Sequence, residues 1–214
     1  MISLLLSTLI TASSPQAAFS RVKATYSKGD LCASFVQTYE EKLRRRKKVE
    51  SGRLWAKRDG RVRWTYEKPI HKDFVYDGKK AFFYEPENAQ VTEFDKFENS
   101  PLWGAIRFLW GQGDIINTFT VTKCTKDCPK PANANIELWR LTPKTPIAAV
   151  AHIILEIDTK RGYVNRSIVY DPLGNQSEYT FSNIAIGCKV DEAKFIFNRP
   201  EGVNVVYASS EAQP

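Results

Sequence analysis

Between Ala33 and Tyr207 apolar side chains recur at every second position, in runs of roughly 5–10 residues separated by turns. This period of two constrains the fold more than any other feature of the chain. Successive side chains of a strand point to opposite faces. Val62, Trp64 and Tyr66 therefore share one side, with Arg63, Thr65 and Glu67 on the other. Ile153, Leu155 and Ile157 face in while Glu156 and Asp158 face out, and Tyr179 and Phe181 alternate with Thr180 and Ser182. The pattern predicts a sheet with one apolar and one wet face, which must cover its apolar face or close on itself.

The runs expected as strands are Ser34–Tyr39, Gly52–Lys57, Val62–Glu67, Asp73–Tyr76, Lys80–Tyr84, Gln90–Phe94, Asn117–Lys123, Ile136–Thr142, His152–Asp158, Tyr163–Tyr170, Ser177–Ile184, Lys194–Phe197 and Asn204–Tyr207. Asp59-Gly60, Asp77-Gly78, Arg161-Gly162 and Gly174-Asn175 supply turns that need a positive φ. Short strands at this spacing predict an antiparallel sheet wound into a barrel or half-barrel. At 214 residues, with no internal repeat or dividing linker, one domain is expected.

Two segments depart from the strand pattern. Phe19 to Leu31 is a short, weakly amphipathic helix candidate. Ser100 to Gly111 reads as a second helix, with Ser100 as N-cap, Pro101 in the first turn and Gly111 as C-cap. Leu102, Trp103, Ile106, Leu109 and Trp110 form its apolar stripe, Phe108 lies off the stripe, and Arg107 is its only charge. A helix this apolar is either a lid over the sheet or a core helix packed across it. The chain holds five Trp, nine Tyr and twelve Phe, and their crowding on this helix exceeds what folding alone requires.

Residues 1–18 read as a secretory signal, with an apolar run too short for the roughly 20 residues of a membrane span and cleavage expected near Ala17 or Ala18. The domain then covers residues 19–214. Four cysteines fit an oxidising compartment. Of three possible pairings, a small staple between Cys124 and Cys128 would leave Cys32 with Cys188; zinc ligation is the alternative reading of the Cys124/Cys128 spacing.

The formal charge of +7 is concentrated in the six basic side chains of Lys42–Lys48, without which the balance falls to +1. These residues sit together at an expected hairpin tip and are not interleaved with aromatics over a face. That disfavours nucleic acid and leaves an anionic membrane surface, an acidic protein or a solvated loop. No nucleophile, paired-carboxylate, metalloprotease or phosphate-loop motif is present. His71 and His152 stand apart from any constellation, His152 reads as structural, and no enzyme, metal or cofactor is expected. Arg58 is the unusual charge. Alternation along Arg53–Arg58 places it on the face of Leu54 and Ala56, where a guanidinium needs hydrogen-bond acceptors such as the carbonyls of a covering helix, unless it snorkels to water at the strand end.

At these residues the sequence resembles the periplasmic outer-membrane lipoprotein carrier family, LolA. The resemblance runs in register from about residue 20 to 206. It is carried by Ala33–Gln37, by Gly52–Arg58 with Trp64 six residues on, and by Lys68-Pro69. Further matches are Val75–Lys79, Phe83–Pro86, Ser100–Leu102, Leu141–Lys144, Asp191–Phe195 and Pro200–Val203. It implies a mainly β fold with a few helices, an incomplete antiparallel β-barrel covered by a helical lid, whose apolar cavity carries lipoprotein acyl chains. Leu54, Val62, Trp64, Tyr66, Phe83, Leu102, Trp103, Ile106, Leu109 and Trp110 are the expected lining, and Arg58 matches the family's lid latch. The implied partners are lipoproteins, an inner-membrane ABC transporter of the LolCDE type and an outer-membrane receptor of the LolB type, served by a periplasmic monomer. A non-shuttling lipid-binding or sensor module of the same fold is the alternative. Asp59 stands where the family has Pro, and the Lys42–Lys48 run and the four cysteines are further departures.

Overall fold

The computed structural model describes residues 14–99, 107, 113, 115–147 and 149–209. Among these, one sheet is built from β1 (Leu31–Glu41), β2 (Arg46–Ala56), β3 (Val62–Lys68), β4 (Lys72–Tyr76), β5 (Lys80–Glu85), β6 (Gln90–Asp95), β7 (Phe119–Lys123), β8 (Ile136–Pro143), β9 (His152–Asp158), β10 (Tyr163–Tyr170), β11 (Gln176–Ile186) and β12 (Asn204–Ser209). Their spatial order is β12-β6-β5-β4-β3-β2-β1-β11-β10-β9-β8-β7. β12 and β7 end the order without pairing to each other, so the barrel is open. Every pairing is antiparallel except β12 with β6, which is parallel and departs from the all-antiparallel expectation. The turn glycines do what alternation asked of them: Gly60, Gly78, Gly162 and Gly174 all take positive φ.

The expected strand at Lys194–Phe197 is instead a turn of 3-10 helix over Glu192–Phe195. The Asp191 carboxylate accepts from the Ala193 N–H at 3.0 Å and caps it, and Phe195 is buried. The helix expected at Phe19–Leu31 is α1 (Pro15–Tyr26); it starts earlier and takes in Ala17 and Ala18. Ser14 caps it by accepting from the Ala17 N–H, with Pro15 in the first turn. The chain then turns at Gly29, where an added Cβ would lie 2.5 Å from the Gly187 Cα, and enters β1.

The main core lies on the concave face. α1 presses Ala18, Phe19, Val22 and Tyr26 into it, Phe19 packs on Trp139 and the Tyr26 hydroxyl accepts from the Val164 N–H at 3.2 Å. Burial drives the Tyr26 phenol pKa far up, so it stays protonated. A one-turn helix, α2 (Ile115–Thr118), packs its isoleucines against the same core.

The convex face is less wet than alternation predicts. Ile136, Leu138, Ile154 and Ile168 form a second apolar cluster there, with the Cys124–Cys128 disulfide packed on it. Glu156 is on this face as expected but buried, paired with Arg166 at 2.7 Å. Asp158 is buried too, accepting from the Lys160 and Arg161 N–H groups in the turn. Cys32 and Cys188 form the second disulfide, so all four cysteine sulfurs are bonded in pairs and none is left as a thiolate for zinc.

Candidate functional site

Strand register sets the lining of the concave face. Leu54 on β2 pairs with Trp64 on β3, Trp64 with Phe74 on β4, and Phe74 with Phe83 on β5, giving one apolar row across four strands. A parallel row runs Ala56, Val62, Tyr76, Ala81. Leu54, Val62 and Trp64 are buried, while Tyr66 and Phe83 are half-buried. The five expected lining residues that are described therefore do share one face. The other five, Leu102, Trp103, Ile106, Leu109 and Trp110, lie outside the described residues, as does the rest of the expected lid helix except Arg107.

Aromatic rings tile the surface edge to face. Phe35 meets Trp64 at 5.1 Å and Tyr66 at 5.0 Å, and Trp64 meets Tyr179 and Phe181. Phe97 packs on Phe74, Tyr76 and Phe94 from a 3-10 turn at Phe97–Asn99. The Trp64 indole N–H is buried with no acceptor among the described residues, a donor that faces into the apolar surface.

One end of this face is polar, which apolar patterning did not reveal. The Tyr66 hydroxyl donates to Gln37 Oε1 at 2.8 Å, with the Tyr179 phenol beside it. Glu50, buried on β2, lies 2.6 Å from Lys72 Nζ and 3.2 Å from Lys48 Nζ. The Lys72 contact is an ion pair by distance but lacks hydrogen-bond alignment at Glu50 Oε1. The Lys72 ammonium also sits 4.4 Å from the Tyr66 ring centre. Burial pushes the Tyr179 phenol up to about 12 and Tyr66 higher still, so both hydroxyls are neutral at physiological pH. The available signal was Glu50 itself, a carboxylate two residues before Gly52 and four before Leu54, on the inward side of β2.

Arg58 lies at the other end of the sheet. The expectation that strand alternation carries it inward is corrected, because β2 ends at Ala56 and Arg58 is exposed in the β2–β3 turn. That turn closes through Lys57 N–H to Arg61 O and Gly60 N–H to Lys57 O. The Arg58 backbone N–H donates to Asp30 Oδ1 at 3.2 Å. Around it Lys57 bridges Asp30 and Glu192, and Arg61 bridges Asp59 and Glu192. The Arg61 guanidinium, its hydrogen bonds outweighing burial, holds the Asp59 carboxyl below its usual range. Asp59 thus fixes the turn by an ion pair.

His71 contacts Asp73 at 3.1 Å in the β3–β4 turn. His152 stacks on Tyr170 on the convex face, and burial, with Arg140 second, lowers its pKa. Neither faces the concave surface. Among the described residues no helix is long and apolar enough to cross a membrane.

Residues 29–198 match the family described as Outer membrane lipoprotein carrier protein LolA. An outer-membrane lipoprotein carrier protein of Nitrosospira multiformis is 30% identical over 174 residues, covering 81% of this chain and 80% of that one. A protein of the same description from Bordetella avium is 28% identical over 158 residues, covering 74% and 71%. An uncharacterized conserved protein of Thermus thermophilus, known from its crystal structure, shares the fold at a TM-score of 0.58 and 14% identity, covering 92% of this chain and all of that one.

Proposed function

The chain belongs to the LolA family of outer-membrane lipoprotein carrier proteins, and from that premise we propose that it is a periplasmic carrier that takes lipoprotein acyl chains into its concave apolar face and shuttles them from the inner to the outer membrane. The observation that carries this reading is the in-register row Leu54, Trp64, Phe74, Phe83, continuous across four strands of an unclosed sheet. The protein acts by binding and release, with no catalytic step. Loading by a LolCDE-type transporter and unloading to a LolB-type receptor follow from the family, with the carrier working as a monomer. Processing near Ala17 or Ala18 would remove the first turn of α1 and leave Phe19, Val22 and Tyr26 in the core.

Magnitudes explain why such a carrier needs an opposing force. About 15 buried methylenes gain roughly 12 kcal/mol gross per chain. Several chains together would pass the ceiling of reversible affinity near −18 to −21 kcal/mol. Closure of the segment at residues 100–111 over the empty face, latched by Arg58, competes with cargo and makes release possible. Leu102, Trp103, Ile106, Leu109 and Trp110 then line the cavity from above.

Native mass spectrometry of protein purified from the cell envelope tests this. Co-purification of an acylated lipoprotein supports the carrier. Recovery of another envelope lipid alone, with no lipoprotein, overturns it in favour of a non-shuttling binding module.

A further inference from the structure

Among the described residues, the apolar side chains that stand furthest into solvent are not on the concave face. Leu43 is 91% exposed and Leu173 is 81% exposed, at the tips of the β1–β2 and β10–β11 hairpins. Both tips lie at the end of the sheet opposite the Arg58 turn, and they are tied together. The Lys42 N–H donates to Asn175 Oδ1 at 3.0 Å, and the Gln176 side-chain amide donates to Glu40 at 3.2 Å.

These leucines are held out by built turns. Asp171 Oδ1 accepts from the Leu173 and Asn175 N–H groups at 2.9 Å each, Pro172 fixes the approach, and Gly174 takes φ 81°. Arg45 closes the other tip at φ 53°. The charge around the tips is net positive. Arg44 pairs with Glu41, Lys47 with Glu40 and Lys48 with Glu50. Lys42, Arg45 and Arg46 have no acidic partner among the described residues, and all three flank Leu43.

We infer that the paired tips of the β1–β2 and β10–β11 hairpins are a docking surface for an anionic phospholipid interface, with Leu43 and Leu173 entering the acyl boundary and Lys42, Arg45 and Arg46 contacting phosphate groups. Basic residues beside projecting apolar side chains match the two layers of such a surface, whereas an acidic protein would use the charges and gain little from two leucines projecting from the paired tips. The inference concerns the empty protein and needs no cargo.

The test is co-sedimentation of the purified chain with phosphatidylglycerol-containing phosphatidylcholine vesicles and with phosphatidylcholine alone. Partitioning is expected onto the first, weakening with salt. Leu43→Ser with Leu173→Ser lowers it by about tenfold or more, and Arg45→Gln with Arg46→Gln by roughly thirtyfold. Unchanged thermal midpoints show that the exposed tips do not report on folding. Absence of partitioning onto the anionic vesicles overturns the inference. So does partitioning that the arginine pair abolishes and the leucine pair leaves intact, which identifies a purely electrostatic patch suited to an acidic protein.

Discussion

Cys32, near the start of β1, is bonded to Cys188, 156 positions later and just past the end of β11. β1 and β11 are neighbours, with Cys32 opposite Ala185, so the bond ties the first strand to the strand that returns beside it from the far half of the sheet. Closing a loop that long removes about 5 kcal/mol of unfolded-state freedom, against about 2 kcal/mol for the four-residue separation of Cys124 and Cys128. Cys32→Ala with Cys188→Ala is therefore expected to lower the thermal midpoint clearly more than Cys124→Ala with Cys128→Ala. Calorimetry of the two double variants checks the order; equal midpoints would show that the long bond restrains nothing that folding needs.

Gly52 lies across from both Phe35 and Tyr66, where the β2–β3 register shifts. A Cβ there would sit 1.9 Å from the Thr65 carbonyl oxygen, which is backbone and cannot swing away. The two rings meet edge to face at 5.0 Å over this position. Gly52→Ala is expected to cost at least about 3 kcal/mol or to prevent folding. Urea unfolding measures this, and a loss under 1 kcal/mol would mean that the bulge relaxes freely.

The concave row was legible in the sequence because Leu54, Val62, Trp64, Tyr66 and Phe83 follow strand period, and neighbouring strands in register align them. Other features were hidden for identifiable reasons. β1 and β2 run on to Glu41 and Arg46 through charged residues on both faces, such as the Glu40–Lys47 cross-strand pair, where alternation of polarity disappears. Arg58 looked inward-facing because periodicity does not report where a turn begins; the Lys57 and Gly60 hydrogen bonds end the strand first. The polar end built from Gln37, Glu50, Tyr66, Lys72 and Tyr179 draws on five strands, and no local pattern marks a cluster assembled by register.

Asp73 is buried on β4, accepting from Arg63 at 2.8 Å and from the Thr65 hydroxyl. Burial alone would raise its pKa, but these bonds outweigh it and hold the carboxyl below the usual range. A depressed folded-state pKa stabilises the fold above the unfolded value, near 3.9, and that contribution is lost as pH falls through the folded value. Asp73→Asn is expected to cost roughly 2 kcal/mol at neutral pH and to flatten the fall in stability below about pH 4. Thermal midpoints against pH for both proteins check this; parallel acid limbs would assign the acid response to other carboxylates.

Arg58 is the residue through which the carrier reading can be separated from tight lipid binding. It sits at the rim, two positions beyond the inward Ala56, with its backbone held to Asp30. A guanidinium that donates to the closed, empty state contributes roughly 1.5–3 kcal/mol per charge-assisted hydrogen bond to that state and nothing to the loaded one. Arg58→Leu removes this competition and adds apolar surface at the mouth. Loading is then expected to proceed while onward transfer slows at least about tenfold, the equivalent of one lost bond. A transfer assay with purified lipoprotein and acceptor membranes measures the two steps separately. Equal release rates for Arg58→Leu and the parent would remove Arg58 from the release step and leave closure to other groups.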